Sequence, residues 1–200
     1  MTKWKYLKSI KKKLLIDEFE IRQTDFSEYH KLSQFHYITT KQPTAPKNAF
    51  GVYHNNILYG VIIYNLTSLQ LIARKKTILN KLLQNKTIIQ RAKFLNNNVR
   101  SIARIVIHPS VRGIGLAAKL IEESWRKLGV RFVEGFGFMA YYRNFHPDTY
   151  SYYIKAERVL KPSEFFLTKD RKGAMRSRLK TPVQKYGYVL YINDKIKCKL

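Results

Sequence analysis

The sequence predicts a mixed α/β domain of the α+β kind, a central mixed sheet flanked by helices, on three observations. A strand, a glycine turn and a helix follow one another from Ile102 to Gly129. Phe50-Gly51-Val52-Tyr53 and Ile57 to Tyr64, around His54-Asn55-Asn56, read as a hairpin. A chain of 200 residues that is 45% hydrophobic fits one domain with a real core. Residues 19–200 are read as that domain, with a basic arm or helix over 1–18.

Taken in order, Trp4, Leu7, Lys11 and Leu14 lie at helical spacing among lysines. Such a segment suits a phosphate backbone or an anionic surface, or is a solvated arm. Phe19-Glu20-Ile21-Arg22 reads as the first strand. Asp25, with Glu28 three residues on, carries the signature of a capping box. The helix it opens would run through Tyr29, Leu32 and Phe35 into His36-Tyr37. Pro43 and Pro46 break the next stretch, Thr39 to Asn48, which is expected to be a substrate loop.

After the hairpin, residues 66–99 read as a helical insertion between the third and fourth strands. Its apolar positions Leu71, Ile72, Ile78, Leu79, Leu82, Leu83 and Ile89 are expected to pack on the sheet. Arg74, Lys75, Lys76, Lys81, Lys86, Arg91 and Lys93 would give the same segment a basic face, and it has no acid. Arg74, Lys75, Lys76 and Lys81 are the candidate nucleic-acid contacts.

Ile102 to Ile107 is a β-branched run that stops at His108-Pro109. Arg112-Gly113-Ile114-Gly115-Leu116-Ala117 then makes a tight turn into a helix whose apolar positions are Leu116, Leu120, Ile121 and Trp125. Unclaimed N–H groups converge where such a helix begins, and glycine lets a bulky anion approach them. The expected guest is a phosphate or pyrophosphate. Val130 to Ala140 reads as the next strand, and Tyr141-Tyr142 follows it. Residues 157–200 form a basic C-terminal segment. Within it, Tyr186 to Ile192, an Asn193-Asp194 turn and Lys195 to Lys199 are expected to form a terminal hairpin.

The Arg-x-x-Gly-x-Ala turn at Arg112 to Ala117, behind a strand ending in proline, resembles the pyrophosphate turn of the GNAT acetyltransferase superfamily. The resemblance implies acetyl-CoA or another acyl-CoA as coenzyme. N–H groups of Gly113, Ile114, Gly115, Leu116 and Ala117 would hold the pyrophosphate, with Arg112 beside it. Main-chain groups of Ile105 and Ile107 would orient the pantetheine arm. Tyr142, or its neighbour Tyr141, would protonate the leaving thiolate. Glu134 is either a base acting through water or a salt-bridging strand residue, and Asp148 is the other candidate base.

His36-Tyr37, the long insertion, the glycine turn and Met139-Ala140 before a tyrosine-rich turn together resemble a divergent GNAT branch. That branch includes phage Mom DNA-modification proteins and GNAT-like domains attached to ABC-type ATPases. It implies His36, Tyr37, Arg112 and Asp148 as active-site residues, and modification of the exocyclic amine of adenine in DNA as protection against restriction. The rival readings are an acyl-CoA-dependent N-acetyltransferase acting on protein amines and a non-catalytic nucleic-acid-binding protein.

Charge bears on that choice. Lys and Arg number 38 against 13 Asp and Glu, a formal net charge of +25, with no acid between Glu28 and Glu122. A polyanionic partner, duplex DNA above all, profits from such an excess through counterion release. A cationic polyamine substrate would be repelled. The five histidines, at 30, 36, 54, 108 and 146, lack metal-ligand spacing, so no metal is expected. One cysteine, Cys198, excludes an internal disulfide and suits a reducing compartment. No apolar run has transmembrane length and no signal pattern appears, so a cytoplasmic protein without stable membrane association is expected.

Overall fold

The computed structural model describes residues 16–36, 46–137, 152–159, 183–193 and 195–199. Its frame is a sheet of seven strands in the order β1-β2-β3-β4-β5-β7-β6. The strands are β1 (Glu20–Gln23), β2 (Pro46–His54), β3 (Ile57–Asn65), β4 (Val99–Ile107), β5 (Phe132–Gly137), β6 (Tyr152–Val159) and β7 (Val183–Ile192). All neighbours are antiparallel except β4 and β5, which are parallel.

The hairpin forms as expected. Asn55 and Asn56 take φ of 49° and 61°, the left-handed pair that matches the twist of the flanking strands. Val61, Ile62, Ile63 and Tyr64 are all buried because the central strand is covered on both faces. Ile62 and Tyr64 face one core; Val61 and Ile63 face another.

One face lies under α4 (Leu116–Lys127), which buries Leu116, Leu120, Ile121 and Trp125 against Phe50, Val52, Val133 and Tyr191. The four apolar residues expected to face the core therefore do so. Tyr64 Oη and Ser124 Oγ lie 2.7 Å apart in a buried hydrogen bond between sheet and helix. The opposite face is shared. The short helix α1 (Glu28–Leu32) covers β2, β3 and β4 with Tyr29 and Leu32, while α2 (Ile78–Leu83) and α3 (Ile88–Asn98) cover β5 and β7. The insertion is thus the missing cover for half a sheet.

Several expectations need correction. Asp25 does not complete a capping box with Glu28: its carboxylate accepts the Ser27 N–H at 2.7 Å, which holds its pKa below the usual carboxylate range. Ser27 is the N-cap, and Glu28 pairs with Lys31 at 2.6 Å instead. The helix gives way to a 3-10 turn, Ser33–Phe35, and ends at His36 in extended conformation. Pro46, Lys47 and Asn48 are part of β2 and not of a loop.

In the insertion, Leu79 and Leu83 pack inward as expected, whereas Leu82 and Ile89 are exposed, at 38% and 77%. The inward positions of α3 are Phe94 and Leu95, the charged and amide side chains on either side of them having masked that stripe. The C-terminal hairpin does not form. β7 pairs with β5 and β6, and residues 195–199 return toward α3, where the Lys199 N–H donates to Asn98 Oδ1 at 2.6 Å and the Asn98 amide donates to the Lys199 carbonyl at 2.7 Å.

Candidate active site

β4 holds the site. It pairs with β3 from Ser101 to Ile107, with Ala103 left out of register as a bulge between Ile102 and Arg104. With β5 it pairs only from Val99 to Ile102, against Phe132 to Gly135. Above that point the two strands part, and among the described residues no strand pairs with the outer edge of β4 from Ala103 to Ile107. The His108 N–H donates to the Tyr59 carbonyl at 2.7 Å, which places residues 108, 106 and 104 toward β3. By alternation, the main-chain groups of Ile105 and Ile107 point to the open edge.

At the top of β4 the chain turns sharply. His108 caps a 3-10 turn, Pro109–Val111, by accepting the Ser110 N–H on Nδ1 at 3.3 Å, with Ser110 Oγ 2.6 Å from the same atom. Phe35 and Tyr59 stack edge-on against its ring, at centroid distances of 4.9 and 6.2 Å. Gly113 and Gly115 follow at φ of 83° and 105°, a region costly to any residue with a Cβ. Gly115 is the N-cap of α4, and it offers the first N–H groups of the helix no side-chain acceptor. Among the described residues, the N–H groups of Gly113, Ile114, Gly115, Leu116 and Ala117 have no hydrogen-bond acceptor; the first backbone bonds of the helix start at Ala118, to the Gly115 carbonyl at 3.0 Å. A Cβ on Gly113 would meet no atom within 4 Å, so the turn opens to solvent. A groove of about 470 Å³ runs beside it, lined by Ile16, Asp17, Gly115, Ala118 and Lys119 among others.

Open strand edge and free N–H cluster together fit a coenzyme with an amide-bearing arm and a pyrophosphate. Both groups are acceptor-rich where the protein offers donors. Arg112 differs from the expectation. Its Nε donates to the Ile107 carbonyl at 2.8 Å and an Nη to the Phe35 carbonyl at 3.2 Å. It clamps the top of β4 to the 3-10 turn after α1, and it occupies the Ile107 carbonyl, leaving that residue's N–H for the open edge. His36, beside Phe35, is buried at 7% exposure. The clamp therefore brings His36 and Arg112 to the same end of β4. Tyr37, Tyr141, Tyr142 and Asp148 lie outside the described residues, as do the arm over 1–15 and most of the expected substrate loop.

Glu134 is not a candidate base. It is fully buried on β5 and ion-paired with Arg74, whose Nη2 reaches Oε1 at 2.7 Å and whose Nε reaches Oε2 at 3.2 Å. Tyr188 donates to Oε2 at 3.0 Å, and the Thr67 hydroxyl donates to Oε1. Arg74, at 3% exposure, is consequently withdrawn from the basic surface proposed for it, whereas Lys75, Lys76 and Lys81 are exposed. The reason is physical: a carboxylate between Val133 and Gly135 in a buried strand needs a cation, and the insertion supplies it. That demand was the available signal for the pair. Burial, with the Glu134 charge adding to it, pushes the Tyr188 phenol well above its usual range. Among the described residues no cluster of His, Cys, Asp or Glu could hold a metal, and no helix is long and apolar enough to cross a membrane.

No family profile and no curated protein matches this chain. Solved structures do resemble it. One is a GNAT family acetyltransferase from Elizabethkingia anophelis with acetyl-CoA bound, 8% identical over 88% of this chain and 99% of that one, with a TM-score of 0.49. Another is the polyamine N-acetyltransferase of Drosophila melanogaster, 13% identical over 88% and 100% of the two chains, with a TM-score of 0.45. A third is an IAA acetyltransferase from Bacillus cereus, 9% identical over 88% and 99%, with a TM-score of 0.47. With identities so low and scores under 0.5, these structures carry no argument about what the chain does.

Proposed function

We propose that the protein is an acyl-coenzyme A-dependent N-acyltransferase of the GNAT kind. The observation that carries the reading is the conjunction at β4: an edge that, among the described residues, is left unpaired above Ile102 and leads directly to five N–H groups without an acceptor at the start of α4. The coenzyme, when bound, supplies an acyl group as a thioester to an acceptor amine. The protein's own part is to bind and orient. N–H groups of Gly113 to Ala117 take the pyrophosphate oxygens, where the helix dipole adds partial positive charge. The Ile105 N–H and carbonyl and the Ile107 N–H align the amides of the arm as an added strand would be aligned. Arg112 fixes the strand end on which both depend. Tyr142 as the proton donor to the thiolate, and Tyr37, His36 and Asp148 at the acceptor side, remain the residues to which the sequence resemblance assigns these roles.

For the acceptor, a second reading has its own support. Lys75, Lys76 and Lys81 stand exposed in an insertion without acids, on a chain of net charge +25. That favours an amine carried on a nucleic acid, the adenine exocyclic amine of the Mom-like reading, over a cationic small amine.

The test has two arms. Calorimetry with acetyl-CoA should show binding that Gly115→Val removes while the circular-dichroism spectrum is kept; unchanged affinity refutes the anion site. Radiolabelled acetyl-CoA is then offered with duplex DNA, a peptide bearing a free N-terminus, and a polyamine. Label in none of them, with coenzyme bound, refutes acyl transfer to these amines and leaves a binder. Nucleoside mass spectrometry of DNA from expressing cells examines the adenine reading separately, since its donor need not be acetyl-CoA.

A further inference from the structure

The insertion between β3 and β4 has an inner side that covers the sheet and an outer side that covers nothing. Among the described residues, five of the six exposed large hydrophobic side chains belong to it: Leu66, Leu69, Leu82, Ile88 and Ile89. The two most exposed are neighbours, Ile88 at 66% and Ile89 at 77%, in the first turn of α3. Exposed β-branched pairs are costly to leave in water, at about 25 cal/mol for each Å² that could be buried.

The corner that presents them is rigid without them. Thr87 accepts the Gln90 N–H at 3.3 Å and Gln90 Oε1 accepts the Thr87 N–H at 2.9 Å, a complete capping box. Arg91 ties down the preceding turn through the carbonyls of Lys86, at 2.8 Å, and Gln84, at 3.1 Å. Over residues 81–93 the other exposed side chains are Lys81, Leu82, Gln84, Asn85, Thr87, Gln90, Arg91 and Lys93. Most are cations or amides, and none is acidic.

We infer that the corner between α2 and α3 is a docking element for duplex nucleic acid, with Ile88 and Ile89 as an apolar wedge and Lys81 and Lys93 as phosphate contacts. Charge selects a polyanion, because residues 66–98 contain no Asp or Glu and the insertion's one buried cation, Arg74, is already neutralised by Glu134. The wedge selects the duplex among polyanions. Minor-groove proteins pair Arg, Lys, Asn and Gln with aliphatic side chains that enter a base step and unstack it. An anionic bilayer is the weaker fit. Its interfacial anchors are typically aromatic, and the one aromatic residue of the insertion, Phe94, is buried at 4% exposure. A second copy of the chain is repelled by the shared charge of +25. This inference deepens the nucleic-acid reading of the acceptor but uses only the surface, so it stands or falls on binding and not on transfer.

The full chain is titrated into a short labelled duplex carrying 2-aminopurine, over a series of salt concentrations, and separately into phosphatidylserine vesicles. The wild type should bind the duplex with a linear fall of log K against log salt, and 2-aminopurine should brighten as its stack opens. Replacing both isoleucines, Ile88→Ser with Ile89→Ser, should weaken binding on the order of tenfold and abolish the brightening at an unchanged salt slope. Lys81→Gln with Lys93→Gln should lower the slope by about two units and keep the brightening. A double serine variant that binds and brightens as wild type overturns the wedge. Wild type that ignores the duplex, or prefers vesicles and loses only those on serine substitution, overturns the choice of partner. Duplex binding that persists with no label transferred from acetyl-CoA would count against acyl transfer to the offered amines and leave this inference standing.

Discussion

Replacing Arg74 by methionine tests the corrected reading of the insertion. Glu134 is fully buried, and Arg74 supplies it with two hydrogen bonds, at 2.7 and 3.2 Å, as well as its compensating charge. Removing one partner of such a pair leaves an uncompensated buried charge, which generally costs about 3–5 kcal/mol. Tyr188 and Thr67 continue to donate to the carboxylate. The lower end of that range, about 3 kcal/mol, is therefore expected. For a chain of this length it corresponds to a fall in Tm of about 6–12 °C. Arg74→Met with Glu134→Gln removes both charges and should recover about 2 kcal/mol of the loss, since neutral pairs avoid the desolvation penalty. Urea unfolding of the four proteins closes the double-mutant cycle. A single variant within about 1 kcal/mol of wild type, or a double no better than the sum of the singles, refutes the argument. The same Arg74→Met protein should bind duplex DNA with an unaltered salt slope, which an arginine on the phosphate-contacting surface would not allow.

Further outcomes follow from other parts of the molecule. Gly113→Ala has room for its methyl group, so its cost should be confined to the left-handed backbone, about 1–2 kcal/mol; thermal melts give that cost, and calorimetry should show weaker coenzyme binding. Thr87→Ala opens the capping box of α3 and should cost about 1 kcal/mol, or a Tm lower by about 2–4 °C. Burial holds the Tyr64 and Tyr188 phenols protonated well above their ordinary range. The unfolded chain releases those protons above about pH 10 and the folded chain does not, so stability is intact below that pH and falls above it, by up to about 1.4 kcal/mol per pH unit for each phenol. Melts between neutral and strongly alkaline pH should show this slope, and Tyr64→Phe should lower it by one phenol's share, leaving that of Tyr188.

The elements that sequence made legible are those whose pattern is local. The Asn55-Asn56 turn declares a left-handed pair, and Gly113 and Gly115 mark the two left-handed positions before α4. Leu116, Leu120, Ile121 and Trp125 form one helical stripe, and all four are buried. What stayed hidden depends on partners distant in the chain. Glu134 and Arg74 are 60 residues apart, and only the fold shows that one neutralises the other. Asn98 and Lys199 are 101 apart, so nothing near Lys195 to Lys199 revealed that this segment runs to α3 instead of folding back on β7. Thr87 and Gln90 carry a capping signature of their own, and it forms, unlike the one at Asp25 and Glu28. At the site, the glycine turn was readable because it needs unusual backbone angles. The turning of Arg112 toward two carbonyls was not, since a guanidinium serves an anion and a carbonyl equally well.

The short shared stretch of β4 and β5 makes the sheet two plates joined along a seam. One plate is β1 to β4, the other is β5, β7 and β6, and four residue pairs stitch them, Val99 to Ile102 with Phe132 to Gly135. Rivets cross at the closed end: Arg74, in the insertion that leaves β3, pairs with Glu134 on the second plate, to which Tyr188 also donates, and Asn98, just before β4, bonds the chain that leaves β7. Among the described residues the strand pairing between the plates ends at Ile102, so the mouth above it can spread without any strand losing a partner, while α4 packs across both plates. A thioester arm would enter there, between two plates that strand pairing joins only at their closed end.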